Sequence, residues 1–269
     1  MSGMILVPEF KGLMANRNVL GTLVRRDLRV RYARSVLGYL WSVLDPLAMS
    51  LIYFLVFTLI FKARHVGNEP YFLHLLTGLL VWQWFSLCMT ETSRALLQES
   101  RLVKSTNLPR ELWVVRVVLA KGVEFVLSLP ILVIFVAIYV IRGEAHLNWT
   151  LVYFPVGMVL TFILATGVGL ILAPITVLVT DMARVVRIGL RMGFYATPII
   201  YSVQSAPESI RRFLIFNPMS GIMELFRSGF FESELGRRAV VISIVLSVLV
   251  FIVGTAVFKR FEAPVLKEI

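Results

Sequence analysis

Apolar residues fill most of this 269-residue chain in long blocks, separated by short stretches where the charged residues collect. A membrane-crossing helix needs about 20 mostly apolar residues. Residues 37–61 form the first such block, interrupted by Asp45-Pro46, and residues 71–89 form the second, with room for its helix to run on to Leu97. Residues 123–141 form the third, whose helix is expected to begin as early as Leu108-Pro109, since proline suits a first turn. Residues 145–180 contain no Asp, Glu, Lys or Arg. At a rise of about 1.5 Å per residue that is too long for one upright span and too short for two with a loop. Pro174 and the glycines at 157, 167 and 169 therefore predict one long, tilted or bent helix. Residues 188–203 are the weakest span, short and carrying Arg191 and Pro198; residues 239–258 are the sixth. The pattern predicts an all-α polytopic membrane protein, a single domain over residues 1–269 with six transmembrane helices.

Three segments are too polar to cross. In residues 17–35, Leu20, Leu23, Val24 and Leu28 fall on one side of a helix and Arg25, Arg26 and Arg29 on the other. That is the pattern of an interfacial helix lying in the acyl boundary with its arginines toward phosphates. Asp27 and Arg31, four apart, are placed to pair. Residues 98–111, QESRLVKSTNLPRE, make a short basic loop in which Leu102, Val103 and Leu108 are suited to docking into another protein. Residues 204–238 hold five basic and four acidic residues, yet Asn217-Pro218 reads as a helix start. Ile222, Met223, Leu225, Phe226 and Phe230 then supply an apolar side, predicting short helices lying in or re-entering the outer leaflet.

Composition removes the soluble alternatives. The hydrophobic fraction is 58% and the charged fraction 16%, against about a quarter charged in an ordinary globular domain. Disorder, collagen-like repeats and disulfide scaffolds are excluded by the same numbers. The net charge of +11 would point to nucleic acid in a soluble protein. Here it sorts by side. Residues 1–36, 94–121, 181–191 and 259–269 hold 19 of the 27 Lys and Arg, and the remaining loops hold 8. The excess of positive loops on one face places both termini in the cytoplasm, with no nucleic-acid partner expected. Cys88 is the single cysteine, so no intrachain disulfide forms, and MSGMILVPEFKGLM does not read as a cleavable signal peptide.

The motifs of common chemistries are missing. There is no G-x-x-x-x-G-K-[ST] loop, no H-E-x-x-H, no G-x-S-x-G and no cysteine cluster, so neither ATP hydrolysis by this chain nor a cofactor or metal is expected. Asp45, Glu91 and Glu124 lie near the cytoplasmic ends of their spans, with Arg116 and Lys121 available as partners for Asp45 or Glu124. Trp82, Trp84, Trp149 and Tyr153 fit interfacial belts. Tyr39, Trp41, Tyr53, Phe54 and Phe57 run along the first span, and aromatic faces of that kind stack on the C–H faces of sugar rings.

An arginine-rich amphipathic helix leading into RYARSVLGYLWSVLDPL, residues 31–47, with six spans after it, resembles the ABC-2 type permease family. The likeness is to the branch that exports O-antigen, teichoic acid, capsule, galactan and related lipid-linked polysaccharides. The matching residues are Arg31-Tyr32, Ser35, Leu37-Gly38, Trp41 and Pro46, then Thr197-Pro198 with Tyr201, and Asn217-Pro218.

The resemblance implies a homodimer in the bacterial inner membrane, bound to two copies of a separate ATP-binding subunit and moving a polysaccharide joined through pyrophosphate to a polyprenol. It implies an interface helix at 17–35, with Arg25, Arg26, Arg29, Arg31 and Arg34 admitting the lipid-pyrophosphate. It implies a coupling helix within 98–111, carried by Glu99, Arg101, Leu102, Val103, Lys104 and Leu108. It also implies an outer gate at 204–238 with Tyr201, Asn217, Pro218, Phe226 and Phe230. Arginine outnumbers lysine 21 to 6, a mark of a GC-rich genome that leans toward galactan or O-antigen. Two other readings stand beside this one: an exporter of small lipids or drugs, and a membrane enzyme acting on polyprenol-linked sugars.

Overall fold

The structure, a computed structural model, describes residues 12, 14–33, 35–57, 65–66, 69–201, 203, 206–231 and 236–269. Helix α1 spans Arg17–Tyr32, and a short 3-10 turn, Gly38–Leu40, leads into α2, Trp41–Leu55. A two-residue antiparallel ladder, β1 (His65–Val66) against β2 (Glu69–Pro70), precedes α3, Tyr71–Thr92. Two short helices follow, α4 (Ala95–Gln98) and α5 (Ser100–Ser105), then α6, Leu112–Ile141. Next come a 3-10 turn at Trp149–Val152, α7 (Tyr153–Leu178), α8 (Met182–Ala196), α9 (Glu208–Ile215), α10 (Pro218–Arg227) and α11 (Gly236–Glu268).

The chain is thus a polytopic, helical membrane protein. Among the described residues five helices are long and apolar enough to cross a bilayer: Gly38–Leu55, Tyr71–Thr92, Leu112–Ile141, Trp149–Leu178 and Gly236–Glu268. The charge-free stretch 145–180 resolves as expected into one long helix with its 3-10 lead-in, and Pro174 lies inside it. Two expected boundaries move. The second helix stops at Thr92, where Ser93 and Arg94 turn the chain, and the third begins at Leu112, with Pro109 in the preceding turn.

The predicted fifth span falls short of the length criterion, because its helix ends at Ala196. The backbone beyond it still continues along α3. Arg187 and Thr90 line one cavity, the Phe194 ring lies 6.0 Å from that of Trp82, and the Tyr71 hydroxyl donates to the Ile200 carbonyl at 3.2 Å. Residues 187–201 therefore run antiparallel to α3 over almost its full length, helical at first and irregular at the end.

Helix α3 is the centre of the bundle, packed by α2, α6, α7, α8 and α10. It is apolar around its whole circumference, the mark of a helix covered on all sides. This corrects the belt assignment for two tryptophans. Trp82 and Trp84 are buried in the core, Trp84 stacking on Phe125 at 4.7 Å, whereas Trp149 and Tyr153 are exposed as an interfacial pair requires.

The most extensive helix pair is α7 with α11. Its contact runs through glycine: a β-carbon on Gly167 would sit 2.6 Å from the Phe251 backbone, and one on Gly254 would strike the Gly167 carbonyl. Without a hydrophobic driving force between helices in lipid, such close backbone approach is what holds a pair together. Helix α11 has 33 residues, so it is about 50 Å long and outreaches a hydrocarbon core of about 30 Å.

Candidate functional site

The arginines of α1 divide into two sets. Arg25 and Arg29 are exposed. Arg26 and Arg31 turn inward and enter two closed squares of alternating charge. In the first, Asp27 lies 3.3 Å from Arg26 and 3.4 Å from Arg116, Arg116 lies 3.1 Å from Glu99, and Glu99 returns to Arg26. In the second, Glu124 lies 3.2 Å from Arg31 and 2.9 Å from Lys121, Lys121 lies 2.9 Å from Glu91, and Glu91 returns to Arg31. Lys121 is 1% exposed and Glu124 8%, so the second square is buried on its α6 side. A buried ion is tolerated when opposite charges surround it, and each square provides that.

The expected pairing of Asp27 with Arg31 is not made. Arg31 reaches the end of α3 and the body of α6 instead, and Asp27 turns to Arg116. Lys121 holds Glu124 as expected, whereas Arg116 takes Asp27 and Glu99 rather than Asp45 or Glu124. Between the two squares lies an open cavity of about 520 Å³, lined by Arg26, Arg31, Arg116, Asp27, Glu91, Glu99 and Glu124. Arg34 lies outside the described residues.

A second cavity of about 590 Å³ opens between α2, α3 and α8. Helix α2 supplies Asp45, Met49 and Tyr53; α3 supplies Trp82, Gln83, Ser86 and Thr90; α8 supplies Arg187, Arg191, Phe194 and Tyr195. Tyr53 stacks on Phe194 at 6.0 Å. Helix α8 is strongly amphipathic, and its arginines at i and i+4 reach this one opening together. Two guanidinium groups, a carboxylate, an amide, two aliphatic hydroxyls and four aromatic rings, two of them phenols, thus share a wall. That combination offers stacking faces, hydrogen bonds and anion contacts at once.

The aromatics of the first span part company. Tyr53 faces the cavity. Phe54 packs on Phe72 at 5.5 Å and Phe57 on Tyr71 at 5.4 Å, so both belong to the α2–α3 contact. Tyr39 and Trp41 are exposed where the first span begins. Arg187 and Arg191 enter the sequence reading only as topology charges; the signal for their role is the shared i, i+4 face with Phe194 and Tyr195 close behind.

The loop after α3 has an inner and an outer face. Val103 is buried, and Leu102 and Leu108 pack into a small apolar cluster with Leu96, Trp113, Phe258, Phe261 and Val265. Arg110 meets Glu262 at 3.5 Å. Those three apolar residues therefore hold the loop to the end of α11. Leu97, Arg101 and Lys104 are exposed, while Glu99 is spent in the first charge square.

At the far end of the bundle, Asn217 caps α10 as its sequence predicts, accepting from the Met219 amide at 3.0 Å with Pro218 in the first turn. Its side-chain amide also donates to the Ala196 carbonyl and the Thr197 hydroxyl, both at 3.0 Å, closing the end of α8. Tyr201 donates to the Tyr195 carbonyl at 3.2 Å. Phe226 is fully buried against Phe125 and Phe154, and Phe230 is buried beside Phe231. The buried guanidinium of Arg227, counted in the sequence only as a loop charge, donates to the Pro198 carbonyl at 2.8 Å and the His74 carbonyl at 3.0 Å. It thereby fixes the irregular backbone after α8 to α3.

Comparison with known proteins agrees with this architecture. The ABC-2 type transporter family model matches residues 18–231. The O-antigen export system permease protein RfbA of Klebsiella pneumoniae is 29% identical over 245 residues, covering 91% of this chain and 92% of that protein. The protein of the same name from Myxococcus xanthus is 32% identical over 221 residues, 81% of this chain and 82% of its own. The polysialic acid transport protein KpsM of Escherichia coli is 23% identical over 257 residues, 95% and 98% of the two chains.

Proposed function

The chain belongs to the ABC-2 type transporter family, and on that premise we propose that it is the membrane subunit of a polysaccharide exporter driven by a separate ATP-binding subunit. The relatives named above are permeases for O-antigen and polysialic acid. The proposed cargo is a polysaccharide joined through pyrophosphate to a polyprenol, carried out of the cytoplasm by a homodimer with two ATP-binding partners. Residues 182–201 are the fifth of six crossings in this reading, which leaves both termini cytoplasmic.

The observation that carries it is the cavity between α2, α3 and α8. Tyr53, Phe194 and Tyr195 offer faces to sugar rings, Gln83, Ser86 and Thr90 offer exchangeable hydrogen bonds, and Arg187 and Arg191 offer forks to a phosphate. A wall of many weak contacts lets a polymer slide; a tight site would stall it. The exposed Leu97, Arg101 and Lys104 are the proposed contacts to the ATP-binding subunit, held in place by Leu102, Val103 and Leu108 beneath them. Tyr201, Asn217, Pro218, Phe226 and Phe230 frame the outer gate, and Arg25 and Arg29 face the lipid headgroups at the inner mouth.

Depleting the protein in its host tests the reading. Lipid-linked polymer is expected to accumulate inside the cytoplasmic membrane and to clear when wild-type protein is restored. Normal surface polymer after depletion, with no intracellular build-up, overturns it.

A further inference from the structure

The two charge squares respond differently to movement of α1. Removing α1 from the first takes away one cation and one anion, Arg26 and Asp27, and leaves Arg116 matched with Glu99. Removing it from the second takes away Arg31 alone. Two carboxylates, Glu91 and Glu124, are then left on the single ammonium of Lys121, which is itself closed to water. The second square therefore holds α1 down far more firmly than the first.

The same square decides what an anion meets in the 520 Å³ cavity. Every guanidinium that lines it already has carboxylate partners. An arriving phosphate finds no uncompensated positive charge until a carboxylate yields. Carboxylate and phosphate oxygens both fit the planar guanidinium fork, so the two compete for one geometry.

We propose that Glu91 and Glu124 are built-in competitors for phosphate: they occupy Arg31 until a diphosphate group displaces them, and that exchange undocks α1. The inference rests on the export reading for its ligand class and concerns regulation of the inner mouth. Arg25 and Arg29, exposed on the same helix, supply the first attraction; Arg31 is the group that changes partners.

The test uses full-length protein in nanodiscs of neutral phosphatidylcholine, with geranylgeranyl diphosphate and inorganic pyrophosphate as probes. Glu91→Gln and Glu124→Gln keep the shape and remove the charge, and each is expected to bind diphosphate about tenfold tighter than wild type, the effect of one charged hydrogen bond. Adding Arg31→Gln is expected to erase that gain. In wild-type protein, saturating probe is expected to speed amide hydrogen exchange across residues 17–32, a measurement that needs no variant to fold. Equal gains for both probes identify the diphosphate itself as the trigger; a gain for the prenyl probe alone assigns it to the lipid-borne group. Unchanged affinity in both Gln variants, a gain that survives Arg31→Gln, or unaltered exchange in α1 overturns the proposal. None of these readouts requires transport. Polymer retained on depletion alongside a failed latch leaves export intact, and a working latch without retained polymer counts against export alone.

Discussion

Gly254 of α11 packs on the backbone of Gly167 in α7 so closely that a β-carbon on either residue collides with the opposite helix. The most extensive helix contact of the bundle closes there without a side chain between the backbones. Gly254→Leu is expected to force the helices apart at a cost of about 3 kcal/mol or more, beyond the usual overpacking penalty because the obstacle is backbone. Loss of thermal stability in detergent, measured by size-exclusion after heating, checks this; the exposed Gly21, with open space around it, is the control position.

Arg187→Gln with Arg191→Gln removes the positive charge from the cavity wall while leaving its shape. Export is expected to fall by about tenfold or more, with membrane insertion and protein yield unchanged. Quantifying surface polymer against membrane-inserted protein gives the comparison. Wild-type export from the double variant assigns these arginines to topology alone.

The loop after α3 calls for two classes of substitution. Val103→Asp buries a charge in the cluster with Phe258 and Val265 and is expected to lower the amount of folded protein. Arg101→Glu and Lys104→Glu change only exposed charge, so folding is expected to persist while pull-down of the ATP-binding subunit weakens. If the exposed pair leaves pull-down and export intact, the loop is a connector.

Asn217→Ala loses the cap of α10 and the tie to Ala196 together. A cap alone is worth about 1 kcal/mol. The expected result is faster hydrogen exchange at the ends of both α8 and α10, which a capping role confined to α10 does not produce.

Burial pushes the Glu111 carboxyl, just before α6, above its ordinary range, with Glu262 adding to the rise. The folded state then binds its proton to a higher pH than the unfolded chain does. Below the unfolded value, about pH 4, the acid is neutral in both states and carries no penalty; as pH climbs through the folded value the penalty develops. Glu111→Gln is expected to raise thermal stability at neutral pH and to lose that advantage near pH 4.

Periodicity and punctuation made the bundle legible. Long apolar blocks sufficed for five spans, and Asn217-Pro218 marked a helix start at the right residue because capping is a local interaction. What failed was long-range. Trp82 and Trp84 look like belt residues in a linear reading, and only the packing of five neighbours around α3 shows them as core. Asp27 and Arg31 have ideal spacing for a pair, yet carboxylates 60 and 93 positions away along the chain sit closer to Arg31. Val103 looks like part of a docking edge with Leu102 and Leu108 until its burial against the end of α11 is seen. Arg227 gave no warning, since nothing near it in sequence names the carbonyls of His74 and Pro198.

Helix α1 is fastened by half-exposed guanidinium groups beside a small apolar contact at Leu23 and Val24, whereas the central helices are fastened by closely fitted apolar surface. Electrolyte acts on the first kind of bond and hardly on the second: the screening length contracts from about 10 Å at 0.1 M to about 3 Å at 1 M. Concentrated brine thus loosens one element of this protein and spares the others. Samples washed in different buffers are therefore expected to differ first in where that amphipathic segment rests.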